Sequence, residues 1–411
     1  MPLAQGISKI VAYKKEGTWG ATPAVGPVAG GTAMRRVTAA FNLSKETYQS
    51  EELRTDYQIS DMRHGVRSAE GSLSGELSAG SYKDFMAAVL TRDFTAGVTA
   101  AHAGTGAVTV AAAASAGVYP VTRTTGSWIT DGFRIGDVIR ITAGTGLNAD
   151  VLNKNLLIVA VTSATEIRVV VLNNSTMTPT ASSAATAISV IGKKTWVPQT
   201  GHTNDSFIVE EWFANIGQSE VYTGVKVNSM GISLPATGMA TVDIGFMGKD
   251  LAVTQTSQYF TSPTQGTGQV FAGVNGVVVF NGAPVAVITD ASININRNLS
   301  NATVLGSNSI AEVFTGRAAV DGSLSVYFTD ATARNAFKDE TEVSLVFALT
   351  ASNSATADVI SIAMPRVKLN SFTRDDTETA ITASMDFQAL LNPATTNGGE
   401  ITTISIQDTA A

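Results

Sequence analysis

The chain contains no cysteine, which excludes a disulfide framework and any thiolate-held metal. It has three histidines, His64, His102 and His202, none in a metal-ligand spacing. All three are expected on the surface. Charged residues make up only 15 %, and the net charge of −7 argues against a basic nucleic-acid surface. No run approaches the roughly 18 apolar residues of a membrane helix. The opening MPLAQGISKIVAYKKEG has no apolar signal core. The chain is therefore expected to be soluble, with no membrane partner. Tryptophan is scarce, at four residues, which leaves few aromatic platforms for a glycan.

Chemical motifs are equally thin. Gly192-Lys-Lys-Thr195 lacks the upstream glycine of a phosphate loop, and Lys194 stands where Ser or Thr belongs. No G-x-S-x-G elbow occurs. Asp375-Asp376 near Glu378 reads as a charged hairpin tip, because no ladder of oxygen ligands follows. No catalytic, cofactor-binding or metal residue is assigned, and no enzyme activity is expected.

What the chain does have is 44 % apolar content, rich in Val and Thr, which favours strands over helices. It also has a repeat. Residues 66–94 and 318–349 both contain Gly-Ser-Leu-Ser, at Gly71–Ser74 and Gly322–Ser325, within alternating apolar residues. Each then enters a helix-like stretch with an aromatic anchor, Phe85 or Phe337. The first such stretch is expected at Tyr82–Leu90, with Ser81 as N-cap and Asp84 near a capping-box position. Lys226-Val-Asn-Ser229 further on matches Lys368-Leu-Asn-Ser371. The spacing predicts two copies of one strand–loop–strand–helix–three-strand unit.

The first copy is interrupted. After a small-residue tract come short strands at Val138–Thr142, Leu156–Val161, Glu166–Leu172 and Ala187–Ile191, separated by turn signals such as Asn173-Asn174. Residues 100–197 hold seven Lys/Arg and four Asp/Glu, so the rest of the chain is ten acidic charges in excess. The expected division is 1–96 with 199–254 as a first unit, 97–198 as an inserted β domain, 255–268 as a linker and 269–411 as a second unit. FIVEEWF (207–213) is expected to alternate between core and solvent.

Ser44–Gly65 is the most charged stretch and reads as a long polar loop. The candidate contact residues are Glu46, Tyr48, Glu51, Glu52, Arg54, Asp56, Tyr57, Asp61 and Arg63. One reading is a solvated loop. The other is a loop ordered against a neighbouring subunit, favoured by Tyr48, Leu53, Tyr57, Ile59 and Met62, which a free loop would not need.

The Gly17–Gly20 arm, the loop ending Asp61-Met-Arg-His-Gly65, GSLSGEL with Tyr82–Phe85, SFIVEEWF and the run from Ile295 to Ser307 resemble the tail tube (major tail) proteins of long-tailed, siphovirus-type bacteriophages. The resemblance covers all but the inserted module. It implies a mainly β fold: two tandem tail-tube-type β-sandwich or barrel units, each with one short helix, plus the inserted small all-β domain. It implies a structural virion protein without cofactors, located in the tail and in the host cytoplasm during assembly. Its partners would be further copies of itself and tape measure, terminator and distal tail proteins. Genomic DNA would pass through the lumen without sequence-specific binding. Two units per chain would let three chains make a pseudo-sixfold ring, with the inserted domain outside. The alternative is a carbohydrate-binding or adhesive β-sandwich surface protein.

Overall fold

The computed structural model describes every residue except 1, 2, 25, 105, 115, 116, 174, 183, 376, 377 and 379. The chain is mainly β, with two α-helices among the described residues. Asn174 and Asp376, singled out in the sequence, lie outside the described residues.

Eight strands form one antiparallel layer: β1 (Thr38–Gln49), β2 (Met62–Glu76), β3 (Gln218–Pro235), β4 (Thr241–Gly248), β5 (Ile288–Asn296), β6 (Ala319–Tyr327), β7 (Val359–Leu369) and β8 (Thr382–Ala389). Their order across the layer is β1-β2-β4-β3-β5-β6-β8-β7. The period-two pattern of the sequence sets the two faces. In β8, Ala383, Met385, Phe387 and Ala389 are buried while Ser384, Asp386 and Gln388 are open.

The repeat recurs as a register. Gly71 in β2 lies opposite Phe246 of β4 and Phe41 of β1. Gly322 in β6 lies opposite Phe387 of β8 and Ile293 of β5. Lys226 pairs with Met247, and Lys368 with Gln388. So β1-β2-β4-β3 and β5-β6-β8-β7 follow one pairing order. They are fused where β3 meets β5, from Ser229 opposite Asn296 to Pro235 opposite Asp290.

A second layer lies behind each set. Lys9–Lys15, Phe207–Phe213, the first half of β3 and Asp250–Gln255 back the first. Gly276–Phe280, Val343–Thr350, the first half of β7 and Ser405–Asp408 back the second. β3 runs from one layer into the other, passing Gly224, whose φ of +63° suits glycine. The core between layers is one apolar cluster including Tyr13, Leu73, Phe207, Phe246, Phe347, Met385 and Phe387.

Helix α1 (Lys83–Leu90) closes the first set. Phe85 is buried against Tyr13, Phe207 and Phe246, with ring centroids 4.6, 5.2 and 5.3 Å away. Burying such a ring stabilises by roughly 1.5–3 kcal/mol. The expected Ser81 cap does not form. Tyr82 occupies the N-cap, and its hydroxyl donates to the Arg35 carbonyl at 2.8 Å. Asp84 accepts from the Tyr13 hydroxyl at 2.9 Å rather than completing a capping box. In α2 (Thr332–Lys338) the expected anchor Phe337 is 39 % exposed and Ala336 faces inward instead. That helix is short and has fewer apolar residues to bury.

Three further expectations are corrected. Ser44–Gly65 is not all loop: β1 continues to Gln49 and β2 begins at Met62, because backbone pairing with a neighbouring strand needs no apolar side chains. FIVEEWF does not alternate with solvent. Glu210 and Glu211 are both buried, since both faces of this strand are covered. His102 is 8 % exposed, its ring 5.4 Å from that of Trp128.

His102 belongs to a separate eight-stranded sheet built from Thr99 to Val190, with its own core around Trp128, Phe133, Ile158 and Val169. This sheet packs Val138, Leu157 and Val159 onto Val346, Ala348, Val359 and Ala363. That contact covers the second face of Val343–Thr350, so that its residues from Leu345 on are buried on both sides. Lys193–Trp196 lies inside the 97–198 span, yet it pairs with Ser405–Asp408 of the layer behind the second set. The Lys194 ammonium sits 3.2 Å from Asp137 and 3.4 Å from Glu400. In the segment 255–268, Tyr259 and Phe260 are buried against Ala12 and Val221.

Burial, then the nearby Arg123 charge, hold the His102 pKa below its usual 6.5, against a smaller opposing pull from Asp131. The unfolded chain therefore takes up the proton first. The stability His102 contributes is full above about pH 6.5 and is lost as pH falls toward its folded value, by up to ~1.4 kcal/mol per pH unit. Amides of Thr186–Val190 should exchange faster at pH 5.5 than at 7.5 after correction for intrinsic rates. His102→Gln should flatten that difference, and an unchanged difference would contradict the assignment.

Candidate assembly surface

The side of the eight-stranded layer turned away from the core is polar and acidic. Glu70, Glu76, Asp243, Asp290, Asp321 and Asp386 are exposed along it, with Lys368 half-buried near its β7 end. Between them runs a mesh of small polar side chains. Ser292 and Ser323 share a 2.8 Å hydrogen bond, Ser371 donates to Asp386 at 2.8 Å, and Ser74 donates to Asp243. Such short side chains keep the face smooth. No cluster of three or more His, Asp or Glu suited to a metal occurs among the described residues.

The layer ends in open edges. Among the described residues β1 has no strand partner but β2, and since the Phe41 amide donates to Glu211 and its carbonyl accepts from Tyr222, the open part of this edge runs from Leu43 onward. At the far end Thr373 and Arg374 pair, among the described residues, only with Ser384 and Ala383 of β8. Open edges of this kind are templates for pairing with another chain.

The β1–β2 hairpin carries every candidate contact residue, and all are exposed. Glu46 and Tyr48 lie on β1, with the Tyr48 hydroxyl donating to Glu46. Arg54 binds Asp56 at 2.9 Å and thereby holds the Asp56 carboxyl below its usual range. Arg63 binds Asp61 at 2.8 Å. Glu51, Glu52 and Tyr57 sit between these pairs. Leu53 and Tyr57 are almost wholly exposed, and Ile59 is 67 % exposed. The structure thus brings the cations and carboxylates together within the loop and leaves its apolar residues without cover.

The matching loop of the second set, between β5 and β6, behaves differently. It folds down onto the first set: the Arg67 amide donates to the Asn308 carbonyl at 3.0 Å, and Lys226 donates to the Val313 carbonyl at 2.6 Å. At the place in the second set that corresponds to Arg67 lies an open groove of about 1140 Å³, lined by Phe314, Arg317, Ala318 and Leu391 among others.

The buried charges were not legible as a site. Glu210 accepts from Ser219 at 2.7 Å and from the amides of Tyr259 and Phe260 at 2.5 and 2.8 Å. Glu211 accepts from the Phe41 amide at 3.0 Å and pairs with Lys9 at 2.6 Å. Burial raises the Glu211 pKa while Lys9 opposes the rise. Paired glutamates inside a strand of Phe, Val and Trp were the available signal. The Gly17–Gly20 arm is pinned by Trp19, whose indole donates to the Gly224 carbonyl at 3.1 Å under the Lys226 and Lys249 ammonium groups.

A family model described as phage tail tube protein matches residues 6–389. No curated protein matches the chain. With nearly its whole length covered, and a β layer with one polar face and two open edges, the chain belongs to the phage tail tube protein family and is a structural protein of the virion tail.

Proposed function

We propose that three copies of the chain close into a ring, that rings stack into a tube, and that viral DNA passes along the lumen. The observation that carries this reading is the twofold recurrence of one four-strand set in one register within one chain. Each chain then supplies two of six wall segments, and the polar face of the eight-stranded layer is the inner wall. An acidic, serine-rich wall suits a conduit, because duplex DNA is densely negative and a basic wall would hold it. The division into two tube units with an inserted domain follows the same pairing. The eight-stranded sheet packs on Val346, Ala348, Val359 and Ala363, and as an inserted domain it would decorate the outside. Tape measure, terminator and distal tail proteins would meet the tube at its core and ends, and assembly would occur in the host cytoplasm.

Microscopy of assembled tubes tests the count. Three chains per ring, each showing both sets, is the expected result. Six chains per ring, or no assembly, overturns it. Tubes that retain duplex DNA at low salt would overturn the reading of the wall.

A further inference from the structure

The β3–β5 seam inside the chain is a template for the contact between chains. We propose that a second copy of this chain adds its β1 edge to the Ser371–Asp375 edge in the register of that seam, and lays its 50–61 loop in the groove beside Ala318. This rests on the reading of the chain as a ring-forming subunit. It goes further by naming the paired residues and by assigning the loop to the neighbour in the same ring.

The register follows from pairings on both sides of the repeat. Gly231 lies opposite Asp243, and Thr373 opposite Ser384. Asp243 and Ser384 lie opposite the last serines of the two Gly-Ser-Leu-Ser runs, Ser74 and Ser325. Gly231 and Thr373 are therefore equivalent. Asn42 lies opposite Glu70, and Asn294 opposite Asp321, one residue before each repeated glycine. Asn42 and Asn294 are therefore equivalent too. Within the chain Gly231 lies opposite Asn294, so between chains Thr373 should lie opposite Asn42. By the same step Ser371 should meet Ser44. Phe372 and Leu43, both half-buried in the single chain, would then lie side by side on the core face, where Met230 and Ile295 are buried in the internal seam.

The loop follows the strand. Inside the chain the segment after β5 lies on Arg67, with Asn308 accepting from the Arg67 amide and Ser309 bridged to the same residue. Arg67 corresponds to Ala318, and Asp250, its ion-pair partner at 2.9 Å, corresponds to Leu391. The loop that follows β1 is 50–61. Leu391 and Phe314 are 51 % and 55 % exposed in the groove, and Leu53, Tyr57 and Ile59 are the uncovered apolar residues that would reach them. Apolar residues on both sides, half-exposed in the groove and largely uncovered in the loop, are what a mutual contact requires.

The absence of cysteine permits a disulfide test on full-length, assembled protein. Asn42→Cys with Thr373→Cys, and separately Ser44→Cys with Ser371→Cys, are oxidised in tubes and run on non-reducing gels. Gly231→Cys with Asn294→Cys serves as the internal reference, and the shifted pair Asn42→Cys with Ser371→Cys as the off-register control. The expected result is interchain links for either matched pair, at least five-fold above the shifted pair, in a ladder that ends at the trimer. Tubes in which only the internal reference links, or the shifted pair links best, overturn the register. Unmodified protein that never assembles overturns the ring reading and this contact with it. A ladder ending at six chains keeps the seam and overturns the count. A photo-crosslinker at Leu53 should label peptides 312–319 or 388–391 of the neighbour. Labelling confined to other peptides overturns the placement of the loop.

Discussion

Glu210→Ala is expected to cost about 3–5 kcal/mol of folding free energy, in the range for removing one partner of a buried charged network. The side chain is fully buried. Its carboxylate holds three donors: the Ser219 hydroxyl and the Tyr259 and Phe260 amides. Alanine leaves each of them in the interior without an acceptor, at roughly 1–3 kcal/mol apiece. The relief from no longer burying a charge offsets part of that. Tyr259 and Phe260 would then lose their anchor over Ala12 and Val221, so damage should spread along the segment that joins the two sets. Glu210→Gln keeps one carbonyl acceptor and should lose roughly half as much. Urea denaturation of the two variants beside the parent measures both values. An alanine variant within about 0.5 kcal/mol of the parent would show that water or backbone movement satisfies the three donors.

The contrast between this glutamate and the rest of its strand shows what the sequence could and could not convey. Period-two alternation marks a strand with one covered face, and β2 and β6 were legible for that reason. Phe207–Phe213 has cover on both faces, from Tyr259 and Phe260 on one side and β1 on the other, so its two glutamates point opposite ways and both are buried. A local pattern cannot report cover brought by residues 50 or 170 positions away. The same holds for His102, which lies in a tract of small residues that looked exposed until Trp128 closed over it. The β1–β2 hairpin failed in the opposite direction. Its polar residues hid a strand because backbone pairing, not burial, extends it. The repeat was legible because Gly-Ser-Leu-Ser occupies one register twice. The open edges and the groove were not, since they exist only once eight strands far apart in sequence lie side by side.

The glycines of that repeat carry the second large prediction. Gly322→Ala should destabilise the fold by about 3 kcal/mol, at the upper end of overpacking costs, and Gly71→Ala by about 1–2 kcal/mol. A Cβ on Gly322 would stand 2.1 Å from the Ser292 carbonyl oxygen and 2.6 Å from the Phe387 ring. The carbonyl belongs to β5, the strand that pairs with β6, and it cannot rotate away without opening the ladder. A Cβ on Gly71 would stand 2.3 Å from the Phe41 ring, and a ring on the outermost strand can tilt. Both sites thus keep glycine so that an aromatic ring can lie across the strand, yet the ring comes from β8 in one set and β1 in the other. The difference sets the order of the two variants. Gly322 lies in the middle of the layer, so its strain should also reach the seam between β3 and β5, and Gly322→Ala should assemble less well than Gly71→Ala at equal concentration. Chemical denaturation ranks the stabilities and sedimentation ranks the assembly. A Gly71 variant that is the weaker of the two in both measurements would mean that the rings, not the carbonyl, set the limit.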